Sequence, residues 1–526
     1  MAGLISPAAL SSGDCFSFSP FCRQIPRDFS TVAGFLRVKN GADLHQRMKR
    51  AHFRVSGNAE DMSKSRISAN SDGSMFKNGI RGARPSKSLG SSEYSYSSGG
   101  LEKLDFDIVI IGAGIIGLTI ARQLLLNTDL SVAIVDAKGP CAGATGAGQG
   151  YIWMGYRTPE SDKWELEARS KQLWEEFVQE LEASGLEPLK LLGWKKTGSL
   201  LVGTTSEESS ALQERVKLLS KAGIRAEFFS ASSMHLIEPA VEVGKEGGAL
   251  FIPDDSQIDA KLAVSFIQEK NRVFTSQGRY EEFFEEPAVH FLRSNQKGHI
   301  EGVQTSKRVL YGSKAVILAA GAWSCSLIEK MAEELSFPLH VPVEPRKGHL
   351  LVLERPQTLQ LNHGLMEIGY CNHQIASVLP DVSSRSIVHS SLHSLSVSMT
   401  ATIDSEGSLV LGSSRQFAGF DCEPEDVVVN SIFERAAKFL PALNKNSLRE
   451  LLKGGHIRIG LRPYMPDGKP IIGPVPNLPK LMLATGHEGA GLCMAFGTAE
   501  MVVEMILGNA TKIDCRPFSP KDRCCK

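Results

Sequence analysis

Neither sign of charge is in excess in this sequence: 58 lysines and arginines face 58 aspartates and glutamates over 526 residues. A chain so balanced has no bulk field to draw it to nucleic acid or to an anionic membrane, so neither partner is expected. Cysteine order is absent too. Ten cysteines are scattered without a CxxC pair or regular spacing. That argues against a disulfide framework and a zinc site, and makes a reducing interior the default. No metal is expected. Cys524 and Cys525 read as tail thiols, with nothing beside them to support lipidation. Long apolar runs are also missing, the one around Ile108 being cut by glycines. No bilayer span is expected, and the protein reads as soluble. Residues 1 to about 100 lack apolar periodicity; serine and glycine recur there, and basic residues outnumber acidic ones about two to one. That composition cannot build a core. No secretory apolar region follows Met1. Arg23, Arg27, Arg37, Arg47, Lys49, Arg50 and Arg54 among many serines read as an organelle transit peptide and linker. A plastid is favoured over a mitochondrion, with a disordered cytosolic extension as the alternative.

The remaining chain is long enough for two domains with full cores or three small ones. It is organised around Phe106-Asp107-Ile108-Val109-Ile110-Ile111-Gly112-Ala113-Gly114-Ile115-Ile116-Gly117. An apolar β-branched run suits a parallel strand buried on both faces. The GxGxxG after it leads into a helix-forming run reaching about Leu126. Gly112 permits the tight turn, Gly114 lets the backbone approach a pyrophosphate, and Gly117 lets helix and strand pack closely. Anionic phosphate then meets the free N–H groups at the helix start. A second strand, Ser131 to Val135, ends on Asp136, an acid at the spacing that reaches a ribose. Together these predict a dinucleotide site. Gly139 to Gly150 is rich in small residues, so its backbone N–H groups can reach a ligand; a flexible linker would have a similar composition.

Trp164 to Leu181 has helical apolar spacing and reads as core, and a second helix is expected over Leu212 to Leu219. A helix is predicted from Asp259 to about Asn271, and short strands at Val289 to Leu292 and Val309 to Tyr311. Lys314 to Trp323 reads as a buried strand ending on small residues, a second place where backbone can approach a cofactor. From Val343 to about Gly419 the pattern is β-rich, with an antiparallel hairpin around Asp404–Gly407. Val427 to Phe439 is a helix stopped by Pro441. Gly460 to Gly473 reads as a loop rich in turn residues. Lys480 to Thr485 is a strand that runs through Gly486-His487-Glu488-Gly489-Ala490-Gly491 into a helix from about Leu492 to Leu507. This second strand–glycine turn–helix also aims its N–H groups at a ligand.

With both glycine turns in place, residues from about Asp105 to Ile513 resemble the D-amino-acid-oxidase-like FAD enzymes of glycine and sarcosine oxidase type. Three elements carry the resemblance: the first glycine turn, Leu461-Arg462-Pro463 with Pro466-Asp467-Gly468-Lys469-Pro470-Ile471-Ile472-Gly473, and Gly486-His487-Glu488-Gly489-Ala490-Gly491. Ala484 to Gly489, Leu411 to Asp421 and Met366 to Tyr370 look closest to the β subunits of D-hydroxyproline dehydrogenase, opine oxidase and hydrogen cyanide synthase. The resemblance implies an α/β fold in which a Rossmann-like FAD domain is interleaved with an antiparallel-sheet substrate domain. The FAD domain is placed at 104–155, 246–335 and 452–513, and the substrate domain at 156–245 and 336–451. It implies FAD held by Gly112, Ala113, Gly114, Ile115, Ile116 and Gly117, with Asp136 and Ala137 at the ribose. The family usually has Glu in the place of Asp136. Gly143, Ala144, Thr145, Gly146, Gln149 and Gly150 pass the ribityl chain and flavin edge. Ala288 or Val289 contacts adenine, Ala320, Gly321 and Trp323 line the flavin, and Gly486 to Leu492 lie at its pyrimidine end. Arg462 matches the arginine that holds a substrate carboxylate, unless it is instead a loop arginine paired with Asp467. Tyr370 and Tyr464 are candidates to hydrogen-bond the substrate, with a core role the alternative for each. His487 reads as a packing or flavin-contacting residue rather than a base. Glu488 stands where some glycine oxidases carry a basic residue, which argues against simple glycine specificity. The implied reaction is oxidation of an amino acid or related primary or secondary amine beside its carboxylate, with hydride passing to flavin N5 and oxygen or an electron carrier as acceptor. A catalytically silent FAD-binding organelle assembly factor is the alternative.

Overall fold

The computed structural model describes residues 100–294, 298–332, 339–355, 359–371 and 395–524. The expected transit segment up to residue 99 and Cys525 lie outside the described residues.

The run from Phe106 to Ile111 is apolar because it is enclosed. It forms the inner part of strand Glu102–Ile111, which pairs in parallel with Val132–Val135 on one side and Arg308–Leu318 on the other. The sheet continues in parallel to Tyr280–Phe283 beyond Val132–Val135, and to Leu481–Thr485 beyond Arg308–Leu318. Ile471–Pro474 closes one edge in antiparallel sense, and Ile300–Thr305 and Ala288–Arg293 extend Arg308–Leu318 as a meander. Val309–Tyr311 and Lys314–Trp323, expected as separate strands, merge into one strand that stops at Leu318, and Gly321–Trp323 is instead a single 3-10 turn. Between Phe106 and Ile108 the partner advances from Gly312 to Ala315, and this bulge absorbs the polar interruption.

Helices Ile115–Asn127, Ala260–Arg272, Trp164–Ala183 and Gly491–Leu507 share the largest core with one face of this sheet. Trp164–Ala183 falls in a segment expected from sequence in the substrate domain. Here the Trp174 indole donates to the Leu492 carbonyl at 2.9 Å and packs edge-on against Phe496. By length and composition, Glu488–Leu507 is apolar enough to cross a membrane, with a mean hydropathy of 1.6, although no span was expected from sequence. Its apolar window is 61% buried among these four helices and their sheet, as a core helix would be.

The second sheet runs His456–Tyr464, Glu344–Leu353, Leu409–Arg415, Ser396–Ile403, Gly364–Glu367, Ser199–Gly203, Gly248–Ile252, Glu227–Ser230. All neighbours are antiparallel except Gly364–Glu367 beside Ser199–Gly203. Helix Asp426–Ala437 shares a core with this sheet. Two segments assigned from sequence to the FAD domain therefore pair here: Gly248–Ile252 and His456–Tyr464. The expected loop from Gly460 to Gly473 is a strand as far as Tyr464, because Leu461 and Pro463 have partners in Lys347 and Pro345. A true turn begins only at Met465.

Candidate active site

The carboxyl ends of Glu102–Ile111, Val132–Val135 and Arg308–Leu318 lie side by side, the crevice where open α/β sheets bind ligands. Gly112 turns there with φ of 115°, and a β-carbon on it would stand 2.4 Å from the Ala319 carbonyl oxygen. Gly117 meets the same turn: its β-carbon would reach 2.0 Å from the Gly112 oxygen. Gly114 caps helix Ile115–Asn127 without a side-chain cap of its own, so the helix start is open to a ligand apart from the Ile115 N–H. Thr145 reaches over to accept from the Ile115 N–H at 3.3 Å. Asp136 is fixed by three backbone donors: Ala113 to one oxygen, Lys138 and Gly139 to the other, each at 2.8 Å. A carboxylate has about four lone-pair sites, so roughly one remains for a ribose hydroxyl.

A continuous cavity of about 880 Å³ runs from this turn to the edge of the second sheet. That is large enough for a dinucleotide and a small substrate together. Its first end is lined by Gly112, Gly114, Ile115, Ile116, Asp136, Ala137 and Ala288. Gly143, Ala144, Thr145, Gln149, Gly150, Ala320, Gly321 and Trp323 line the middle. His487, Glu488, Gly489, Gly491, Leu492, Tyr370 and Arg462 line the far end. The remaining expected residues stand behind the wall. Ala113, Gly117 and Ala490 are packing positions, and Gly146 closes on the Cys141 carbonyl. Val289 comes after Ala288 on the same strand and is not in the lining, as side-chain alternation explains. Gly486 turns against Met465 with φ of 78°. Tyr464 is buried under Arg346 and edge-on to Phe417, outside the cavity, and burial pushes its hydroxyl up.

Arg462 projects from strand His456–Tyr464, and the room for it comes from Gly348 on the neighbouring strand. A β-carbon on Gly348 would lie 2.2 Å from Arg462 Nη1. The guanidinium donates to the Ser414 carbonyl at 2.9 Å. It does not pair with Asp467. That carboxylate takes Arg523 Nη2 at 2.9 Å and the Lys469 N–H at 3.2 Å instead. Burial depresses the Arg462 guanidinium, and the Tyr370 hydroxyl beside it works the other way. Burial works to raise the Tyr370 hydroxyl, but the Arg415 and Arg462 guanidiniums outweigh it and hold the phenol below its ordinary value. Glu488 takes up φ of 49°, and its Oε1 meets Arg346 Nη2 at 3.1 Å. His487 is 4% exposed, shares a hydrogen bond with Thr498 at 3.0 Å, and is lowered by burial to about 3. It is neutral and engaged, as a packing residue should be.

Sequence reasoning passed over Gly348, Ser413, Arg346, Arg415, Tyr151 and Tyr156. Ser413, Gly348, Tyr151 and Tyr156 line the cavity, and Arg415 lies over the Tyr370 ring. Arg346 carried a signal only in register, since it stands opposite Arg462 in the ladder.

A parallel sheet with a phosphate-ready glycine turn, an anchored acid and a cationic pocket across one cavity defines a dinucleotide-binding flavoenzyme class. The chain belongs to the family of FAD dependent oxidoreductases (DAO), whose profile matches residues 107–505, and FAD is its cofactor. It is 27% identical over 422 residues to a glycine oxidase of Pseudomonas aeruginosa, covering 79% of this chain and 99% of the relative. It is 23% identical over 451 residues to the hydrogen cyanide synthase subunit HcnC of the same organism, covering 78% and 95%. The crystal structure of glycine oxidase from Geobacillus kaustophilus superposes with a TM-score of 0.63 at 20% identity, over 79% of this chain and 98% of that one.

Proposed function

We propose that the protein oxidises an amino acid, or a related primary or secondary amine, at the carbon beside a carboxylate. The observation that carries this reading is Arg462: a guanidinium at the far end of the FAD cavity, given room by Gly348 and not paired with Asp467. Its planar fork suits bidentate capture of a carboxylate and would orient the neighbouring C–H toward the flavin. FAD, which the glycine turn from Gly112 to Gly117 and Asp136 would hold, would supply the redox chemistry as the hydride acceptor. The residues around it bind, orient and exclude. Tyr370 sits beside the Arg462 fork to receive or donate a further hydrogen bond. His487, lowered by burial and bound to Thr498, is held out of a base's role. No base is needed if the amine enters neutral, and the resulting imine hydrolyses in water. The turn from Gly486 into helix Gly491–Leu507 lines the far end of the cavity, and its N–H groups and positive helix end would favour negative charge on a reduced cofactor there. The names of the glycine oxidase and HcnC relatives support the amine reading.

Anaerobic mixing of the yellow protein with a panel of amino acids and N-alkyl amino acids tests it. The expected result is bleaching of the visible flavin band by at least one amine carboxylate. Bleaching by none of them favours the catalytically silent assembly factor. Either oxygen or an electron carrier would then reoxidise the cofactor. The basic, serine-rich segment up to about residue 100 supports delivery to a plastid. A fusion of residues 1–100 to a fluorescent reporter should accumulate there; diffuse cytosolic fluorescence would discard the targeting proposal.

A further inference from the structure

Outside the cavity, one group of side chains has the composition of a metal site. Helix Ser324–Ala332 follows directly on the Gly321–Trp323 turn, and its Ser326, Leu327 and Lys330 line the cavity. Ile328 and Met331 are fully buried, so the helix is seated firmly on its core. Cys325 and Glu329 stand four residues apart and therefore share one face of it. His340 comes to that face from a separate segment, and its backbone is held on both sides. Leu339 and Val341 are buried, and the His340 N–H donates to the Cys524 carbonyl at 3.3 Å.

The ligand atoms converge. His340 Nδ1 is 2.8 Å from Glu329 Oε1 and 3.8 Å from Cys325 Sγ, and all three atoms lie within 4.8 Å of one another. A tetrahedral zinc ion with ordinary bond lengths holds nitrogen and oxygen ligands about 3.3 Å apart, and nitrogen and sulfur ligands about 3.6 Å apart. Side-chain shifts of about half an ångström therefore reach that geometry. Glu329 and His340 are 50% and 55% exposed, free enough to make them. A surface histidine–glutamate pair needs no ion to account for it. The thiol sets this group apart, because sulfur is a weak hydrogen-bonding partner and a strong zinc ligand. Sulfur and imidazole also select against magnesium and calcium, which take oxygen ligands. One thiolate and one carboxylate with a neutral imidazole carry the two negative charges that a divalent ion cancels. The scattered cysteines gave no such pattern in the sequence, since only one of these ligands is a cysteine. We propose that Cys325, Glu329 and His340 bind one zinc ion, with water in the fourth position. The thiol proton is released to solvent as the ion binds. The ion ties helix Ser324–Ala332, which walls the FAD cavity, to the segment around His340. This site lies apart from Arg462 and does not depend on the amine reading.

Calorimetric titration tests this without turnover. The full-length, FAD-loaded protein is stripped of metal by dialysis against a chelator, kept reduced with a phosphine, and titrated with zinc chloride. One zinc per chain should bind with a Kd below about 1 μM. Cys325→Ser and His340→Gln should each weaken that binding at least about tenfold, because each removes a direct ligand. Zinc should also raise the Tm of the parent and not that of either variant. A parent that binds no zinc at that affinity overturns the proposal. So does either variant that keeps the parent's affinity to within about tenfold, or an equal rise in Tm in all three proteins, since the metal would then lie elsewhere. If Cys325→Ser does not fold, His340→Gln, which alters a half-exposed ring, decides the matter alone.

Discussion

Arg462 is the residue on which the chemistry turns, and its setting makes two substitutions informative. In Arg462→Ala a substrate carboxylate enters a shielded site without its partner. Loss of one member of a desolvated charge pair costs about 2–5 kcal/mol, or roughly 30- to several-thousand-fold in kcat/KM. Arg462→Lys should recover only part, since an ammonium cannot reproduce the fork. FAD content should stay near that of the parent, because the cofactor's own contacts are elsewhere, and amines without a carboxylate should lose far less. Gly348→Ala removes no charge at all. Its new methyl would stand 2.2 Å from Nη1 and 2.4 Å from Nη2, so the fork must move. A displacement of that kind can cost about 100-fold in kcat/KM. Steady-state kinetics with FAD quantified by absorbance checks both, and full activity in Gly348→Ala would mean that Arg462 does not hold the substrate in this pose.

The strand Leu481–Thr485, the turn after it and the helix Gly491–Leu507 act as one element, and His487 reports on it. Burial lowers this imidazole from 6.5 to about 3. Between those values the unfolded chain binds a proton that the folded one refuses, so stability rises with pH up to about 6.5 and is lost as pH falls toward 3. From pH 6.5 to 5 the loss amounts to about 2 kcal/mol. Asp255 works in the opposite sense. It accepts from Met154 N–H, Gly155 N–H and the Ser199 hydroxyl, yet burial pushes it up to about 6. The folded chain therefore holds its proton between about 4 and 6, and that stabilisation fades as pH rises. The two partly cancel in the parent. Denaturant titrations of parent and His487→Gln at pH 6.5 and 5 separate them: the parent should lose about 2 kcal/mol more on acidification than the variant. Parallel losses would mean that His487 is not held neutral.

At the scale of the whole molecule, the cavity joins the end of a parallel sheet to the edge of an antiparallel one, so a cofactor held in it would contact both. A ligand that binds only the folded state stabilises it by RT ln(1 + [L]/Kd), about 4 kcal/mol at a free concentration a thousand times Kd. Removing FAD should therefore lower Tm, and adding it back should restore the parent value. In Gly114→Val the side chain would enter space near Thr145 and the expected pyrophosphate, and the purified protein should be colourless. Retention of the yellow cofactor by that variant would mean that the phosphates lie elsewhere.

The cofactor half of this site was legible in the sequence because its code is local. A strand, Gly112, Gly114 and Gly117, a helix and then Asp136 lie within 31 consecutive residues of Phe106 to Asp136, and Gly112 and Gly117 meet steric demands that almost nothing else satisfies. The second glycine turn at Gly486 to Gly491 was legible for the same reason, as was the extent of the long helices Ile115–Asn127, Trp164–Ala183, Ala260–Arg272, Asp426–Ala437 and Gly491–Leu507, where apolar spacing repeats every turn. The helix expected over Leu212 to Leu219 instead runs from Ser206 to Lys221. The substrate half is spread over residues about 50 to 120 positions apart: Gly348 making room for Arg462, Arg346 opposite it, Arg415 behind Tyr370. Spacing along the chain says nothing about such encounters, which depend on strand register. Register also moved His456–Tyr464 into the second sheet and turned an expected loop into the strand that presents Arg462. Which arginine Asp467 would meet was equally hidden, because its partner, Arg523, lies 56 residues on and is brought back only by the folded tail. Local sterics can be read from order alone; the pairing of distant charges is decided by the sheet that brings them together.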